Sequence, residues 1–196
     1  MSFFLYTPCD AGLSALVCDD CSPGETARIR AVAFVKKRVL AGAPDLSNPD
    51  VWKAWILNED AVVIPNVRGA YDGSSEVVAE GYGSQLNRVT GLTHAVEYYQ
   101  LMRCENVAAY NIIKRNRDLV FFFRTESSLW HSVNAVKVFP QMPVDLDMGK
   151  EIELKVAVEW SHPDLPECIV PPPGIFDDCA SLAALLETEE DEGTLE

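Results

Sequence analysis

Three cysteines near the start of the chain come closest to a reactive or metal-binding motif. Cys18 and Cys21 form a C-x-x-C, and Cys9 precedes them. A structural zinc ion needs four ligands, and the sequence offers neither a second C-x-x-C nor a paired histidine. A redox C-x-x-C would lie at the turn of a βαβ unit, which the surrounding sequence does not predict. We interpret these thiols as structural and keep a small cysteine-based metal-binding module as an alternative hypothesis.

The three histidines show no catalytic or metal-binding spacing. His94 falls within a predicted strand, His131 follows a tryptophan, and His162 precedes a proline. Residues 81–83 (GYG) lack the third glycine and the helix of a dinucleotide loop, and the chain has no G-x-S-x-G or P-loop. We therefore predict no catalytic residue, no metal ligand, no cofactor and no enzymatic activity. The alternative is an enzyme on a β-barrel that gathers His94 or His131 with carboxylates.

The elements that must position these residues are mainly strands. The runs with strand character cover residues 29–35, 61–64, 67–71, 76–79, 92–99, 119–123, 133–139 and 152–160. The apolar run 119–123 predicts a strand buried on both faces, and the strict alternation over 152–160 predicts a half-buried antiparallel strand. Asp72-Gly73 predicts a tight turn, and five glycines between 69 and 91 predict a long hairpin or loop with bulges.

Three segments have helical character. Asn48-Pro49-Asp50 is a typical helix start and predicts a short helix over 51–57 that presents Trp52, Trp55 and Ile56 to the core. Residues 105–116 predict a longer helix, with an apolar stripe at Ala109, Ile112 and Ile113. A brief helical patch follows at 179–186.

Together these patterns predict a mainly β fold. We expect an antiparallel β-sandwich or barrel with one flanking α-helix, a long hairpin loop and extended terminal arms. The expected organisation is an N-terminal arm over 1–26, a β-sandwich domain over 27–160, and a C-terminal arm with an acidic tail over 161–196.

The charge of the chain is strongly negative and unevenly placed. Its 16 basic and 30 acidic residues give a formal charge of −14, of which −8 falls on residues 177–196. This balance disfavours tight binding of nucleic acid, which depends on clustered Lys and Arg. No run is long and apolar enough for a membrane span, and the first residues lack the basic leader of a signal peptide, so we expect cytoplasmic synthesis.

A set of spaced landmarks carries a family resemblance. They are Pro23-Gly24-Glu25, Asp50-Val51-Trp52, residues 64–69 (IPNVRG), residues 80–85 (EGYGSQ), Thr90-Gly91, a helix starting near Asn106, Glu159-Trp160 and Gly174-Ile175-Phe176. In this order they resemble a family of virion structural proteins of tailed phages with Bacteroidetes-type hosts, similar in layout to phage tail tube subunits. The acidic tail after Phe176 has no counterpart in that family.

The resemblance implies a structural role in the virion. Tail tube subunits form stacked rings, usually hexamers, whose inner sheets merge into a β-lined channel through which DNA passes without tight binding. It implies partners that are copies of the chain and other virion proteins, no membrane, and localisation to the virion after assembly in the host cytoplasm. An acidic channel wall would repel phosphates. A head-to-tail connector or a capsid-surface virion protein is the alternative structural role.

Overall fold

The computed structural model describes residues 28–80, 88–101, 103–143 and 151–187. Nine strands lie in these ranges: β1 (Ala31–Lys36), β2 (Ala61–Ile64), β3 (Arg68–Ala79), β4 (Arg88–Leu101), β5 (Leu119–Arg124), β6 (Leu129–His131), β7 (Lys137–Gln141), β8 (Glu153–His162) and β9 (Glu167–Ile169). Four helices accompany them: α1 (Lys37–Leu40), α2 (Pro49–Leu57), α3 (Cys104–Arg115) and α4 (Cys179–Glu187).

The strands form two antiparallel sheets. Sheet A has the order β3-β4-β8-β7, and sheet B has the order β2-β1-β5-β6-β9. The prediction of a mainly β, antiparallel fold is confirmed. The sheets face each other across a shared core in a sandwich-like arrangement and do not close into a barrel.

The first core fills the space between the two sheets. Alternate residues of β8, among them Val156 and Val158, point into it as the sequence pattern predicted. Phe121 and Phe123 of β5 meet them from sheet B. Helix α3 adds Tyr110 and Ile113 to the same core.

A second core lies on the other face of sheet B, so β1 and β5 are buried on both faces. Phe122 of β5 contacts Trp52 of α2, with ring centroids 5.1 Å apart and an edge-to-face geometry. Phe176 meets the same indole at 4.9 Å, and Ile175 beside it is fully buried. The described part of residues 161–196 thus supplies strand β9, two core residues and helix α4.

Helix α2 begins as the sequence predicted. The side chain of Asn48 accepts a hydrogen bond from the backbone N–H of Asp50 at 2.9 Å, and Pro49 occupies the first helical position, where no N–H is needed. Trp52 and Trp55 are buried, and the indole N–H of Trp52 donates to the carbonyl of Leu46 at 2.9 Å. Ile56 is half-buried against the same core.

The predicted tight turn at Asp72-Gly73 is wrong. Strand β3 runs through both residues, and its register with β4 shifts between Tyr71 and Ser74. Gly73 has a φ of 82°. Glycine adopts this conformation readily, and it occurs both in β-bulges and in tight turns. The dipeptide therefore marks a bulge within β3, which continues to Ala79.

Two further predictions need correction. The expected strand over 133–139 starts late, because residues 133–136 are irregular and β7 begins at Lys137. In α3, Ala109 and Ile112 face solvent, and the buried side chains are Tyr110 and Ile113. The Tyr110 hydroxyl is bonded to Tyr98 and Gln100 of β4, contacts that an alanine cannot make.

Candidate functional site

His94 and His131 lie in different surroundings in the described part of the chain, and neither lines the two hollows described below. His94 is fully buried between the sheets, where its ring stacks on Trp160 at 5.1 Å. His131 stacks on Phe122 at 5.2 Å and lies 3.3 Å from the exposed Glu167. His162 bonds to its own loop through Asp164. Each ring thus has local partners that account for its position.

Among the described residues, no group of three or more His, Cys, Asp or Glu side chains is arranged to hold a metal ion. Cys9, Cys18 and Cys21 lie outside the described residues, as do residues 81–83, so the cysteine-module hypothesis stays a prediction. Cys168 and Cys179 are exposed free thiols.

Both outer strands of sheet A have an open edge within the described part of the chain. At β3, the only pairing on the outer side is an isolated bridge between Ile29 and Gly69, so no described strand follows the edge from Ala70 onward. At the other end of the sheet, β7 pairs with β8 and with no other strand among the residues that the structure describes. Lys137 and Pro140 lie in this short strand, and both residue types limit uncontrolled edge pairing.

The end of the β3–β4 hairpin extends past the rest of sheet A. Strand β8 pairs with β4 from Leu92 onward. Residues 77–79 and 88–91, which we call the ribbon, therefore pair with each other and with no other strand in the described ranges. Three ribbon valines, Val77, Val78 and Val89, are 41, 46 and 50% exposed. A two-stranded ribbon with exposed apolar side chains gains stability when a further surface covers it.

The solvent face of sheet A carries a connected set of charges. Lys155 lies 2.7 Å from Glu97, and the hydroxyl of Tyr99 donates to Glu97 at 2.5 Å. The guanidinium of Arg68 sits 5.5 Å from the centre of the Tyr99 ring and pairs with Glu153. The hydrogen bond from Lys155 is the main reason that the pKa of Glu97 lies below its usual value, and it raises the pKa of Lys155.

An open groove of about 380 Å³ lies beside this face, at the β3 edge. Three exposed arginines line it, Arg28, Arg30 and Arg68, and we call it the arginine groove. A second hollow of about 350 Å³ shares Arg28, Arg68 and Tyr99 with the groove. Asp177 lines the groove as well, and its carboxylate pairs with Arg124.

Sequence reasoning missed the arginine groove. The basic residues that lie close together in sequence are at 36–38 and 114–117, whereas the groove arginines come from two separate segments. Those segments meet because the backbone N–H of Ile29 donates to the carbonyl of Gly69 at 3.0 Å, and that of Val67 to the carbonyl of Arg30 at 2.9 Å. No pattern in the sequence of either segment predicts this pairing.

Comparison of the chain with known protein families, with curated proteins and with solved structures yields no match. Among the described residues, no helix is both long enough and apolar enough to span a membrane.

Proposed function

We propose that this protein is a virion structural subunit that acts by self-assembly, most specifically a tail tube subunit whose stacked rings form a DNA-conducting channel. The observation that carries the proposal is that sheet A has two edges, on opposite sides, along which no strand of the described part of the chain pairs, together with the projecting ribbon at one of them. No enzymatic activity is part of the proposal.

Two different edges on one sheet suit a closed ring. When β3 of one copy meets β7 of the next, the contact is head-to-tail, and a rotation that closes gives a ring without exposed edges. Because β7 is short and contains Pro140, ladder pairing at this joint is limited to a few residues. The ribbon, with its exposed valines, then supplies additional contact area to a neighbouring copy.

The charges on the solvent face of sheet A support the proposal of a channel wall that binds DNA only weakly. Arg68 and Lys155, which could bind phosphates, are already engaged by Glu153 and Glu97. These carboxylates offset the positive charge of the face, and the net charge of −14 opposes the approach of phosphates.

Analytical ultracentrifugation and negative-stain electron microscopy test the proposal. We expect the purified chain to form rings or tubes as its concentration rises. The double variant Val78→Lys/Val89→Lys places two charges on the ribbon and should shift the protein toward monomers. Val170→Lys, at a position 72% exposed and away from the ribbon, is the matched control and should assemble normally.

A strict monomer at all concentrations, with no ring in a virion, would overturn the proposal. A single ring in place of a stack would favour the head-to-tail connector, and equal assembly of both variants would exclude the ribbon as a contact.

A further inference from the structure

The arginine groove concentrates positive charge on a strongly acidic chain. Arg28, Arg30 and Arg68 project from two antiparallel segments around one hollow, while the chain as a whole carries −14. Guanidinium groups present planar pairs of donors that match carboxylates. The groove thus offers an acidic segment three guanidinium groups around one hollow, beside the carboxylates of Glu153 and Asp177.

The groove arginines can exchange their present carboxylate partners for others. Arg28 pairs with no carboxylate in the part of the chain that the structure describes. Arg30 pairs with Glu126 at 2.6 Å, with both side chains about half exposed, and Arg68 pairs with Glu153 on the solvent face. Exposed ion pairs of this kind contribute little to stability, so a run of carboxylates can replace them at little loss.

The chain itself contains a segment of matching charge. Residues 188–196 hold five acidic residues and no basic one: Glu189, Glu190, Asp191, Glu192 and Glu196. We propose that the arginine groove binds this acidic segment of the same chain, through carboxylate–guanidinium pairs.

The position of α4 places the start of the segment close to the groove. The side-chain amide of Asn66, which lines the groove, lies 3.7 Å from the sulfur of Cys179 at the start of α4. In the last turn, Leu185 packs against Gly174, whose N–H donates to the groove residue Asp177 at 2.8 Å. Nine residues span up to about 30 Å when extended, so residues 188–196 reach the groove readily.

The short connection also explains why the same chain is the favoured source. A tethered segment experiences an effective concentration of the order of millimolar, so that weak exposed ion pairs suffice to populate the bound state. A nucleic acid has no such tether and meets the repulsion of the remaining acidic surface. The inference does not rest on self-assembly, because one chain contains both parts.

Arginine modification by phenylglyoxal, read out by mass spectrometry, tests the proposal on the full chain. The variant Glu189→Gln/Glu190→Gln/Asp191→Asn/Glu192→Gln keeps the chain length and removes four charges. We expect Arg28, Arg30 and Arg68 to be modified several-fold faster in this variant than in the wild type. Arg115 and Arg117 are exposed at the end of α3, far from the groove in sequence, and serve as internal controls with unchanged rates.

In the wild type, the protection of the groove arginines from modification should not depend on protein concentration. It should disappear at high salt, where the Debye length falls to about 3 Å. The proposal would be overturned if the groove arginines were modified at equal rates in the wild type and the variant. It would also be overturned if the modification rates of Arg115 and Arg117 rose together with those of the groove arginines. Protection that fades on dilution would also overturn it, since the segment would then come from a neighbouring copy.

Discussion

The hydroxyl of Tyr71 lies 2.8 Å from Nδ1 of His94, in the middle of sheet A. On the other side of the imidazole, Nε2 lies 3.3 Å from the backbone carbonyl of His162, which can only accept a hydrogen bond. The carbonyl requires an N–H on Nε2, and in the tautomer with that single ring proton Nδ1 accepts from the Tyr71 hydroxyl. The pair joins β3 to β4 and β8 through a fully buried ring.

Removing the Tyr71 hydroxyl should destabilise the protein. In Tyr71→Phe, the buried Nδ1 of His94 loses its donor, and we expect the free energy of unfolding to fall by about 1–3 kcal/mol in chemical denaturation. Tyr99→Phe is the matched control, because the Tyr99 hydroxyl bonds to Glu97 on the solvent face, where water replaces it. Equal losses in the two variants would contradict the structural role of His94.

Adding a methyl group at Gly69 should loosen the junction of β3 and β4. A β-carbon there would lie 2.6 Å from the backbone oxygen of Glu97 and 2.7 Å from Cβ of Tyr98, so the strands must separate. We expect Gly69→Ala to lower the free energy of unfolding by about 1–3 kcal/mol. Gly42→Ala, with no atom within 4 Å of the added carbon, should be neutral or stabilising by up to about 1 kcal/mol. Thermal and urea unfolding of both variants measure the two changes in the free energy of unfolding.

The residues after β8 should prove essential to the core. Phe176 is almost completely buried and packs against Trp52, so Phe176→Ala should lower the free energy of unfolding by about 3–5 kcal/mol. Leu165→Ala, in the same stretch but 63% exposed, should change it by less than about 0.5 kcal/mol. Similar effects in both variants would mean that this stretch does not pack on the domain.

Stability should fall in acid partly through Asp177. Its hydrogen bond from Arg124, together with that from the N–H of Gly174, holds the pKa of Asp177 below its usual value in the folded protein. The ionised carboxylate therefore stabilises the fold above the unfolded-state pKa of about 3.9, and this contribution is lost as pH falls through the lower folded-state pKa.

Urea denaturation of wild type and Asp177→Asn over a range of pH measures this effect. We expect the difference in their free energies of unfolding to be steady near neutral pH and to shrink below about pH 4. A difference that persists unchanged in strong acid would show that the carboxylate charge is not what stabilises the contact.

Much of the fold could be predicted from local pattern. The continuous apolar run over 119–123 predicted the doubly buried β5, and the alternation over 152–160 predicted the half-buried β8; both are confirmed. The start of α2 was also predictable, because Asn48 and Pro49 act through bonds and torsions within a few residues. Such features depend on neighbours in sequence, so composition and spacing suffice to reveal them.

The tertiary structure decided what depends on contacts between distant residues. It made Asp72-Gly73 a bulge rather than a turn, because β4 pairs with β3 on both sides of it. The sequence by itself determined a mainly β, strongly acidic chain without a catalytic motif. Only the folded chain brings Arg28 and Arg30 beside Arg68, because backbone hydrogen bonds between the two segments have no signature in either one.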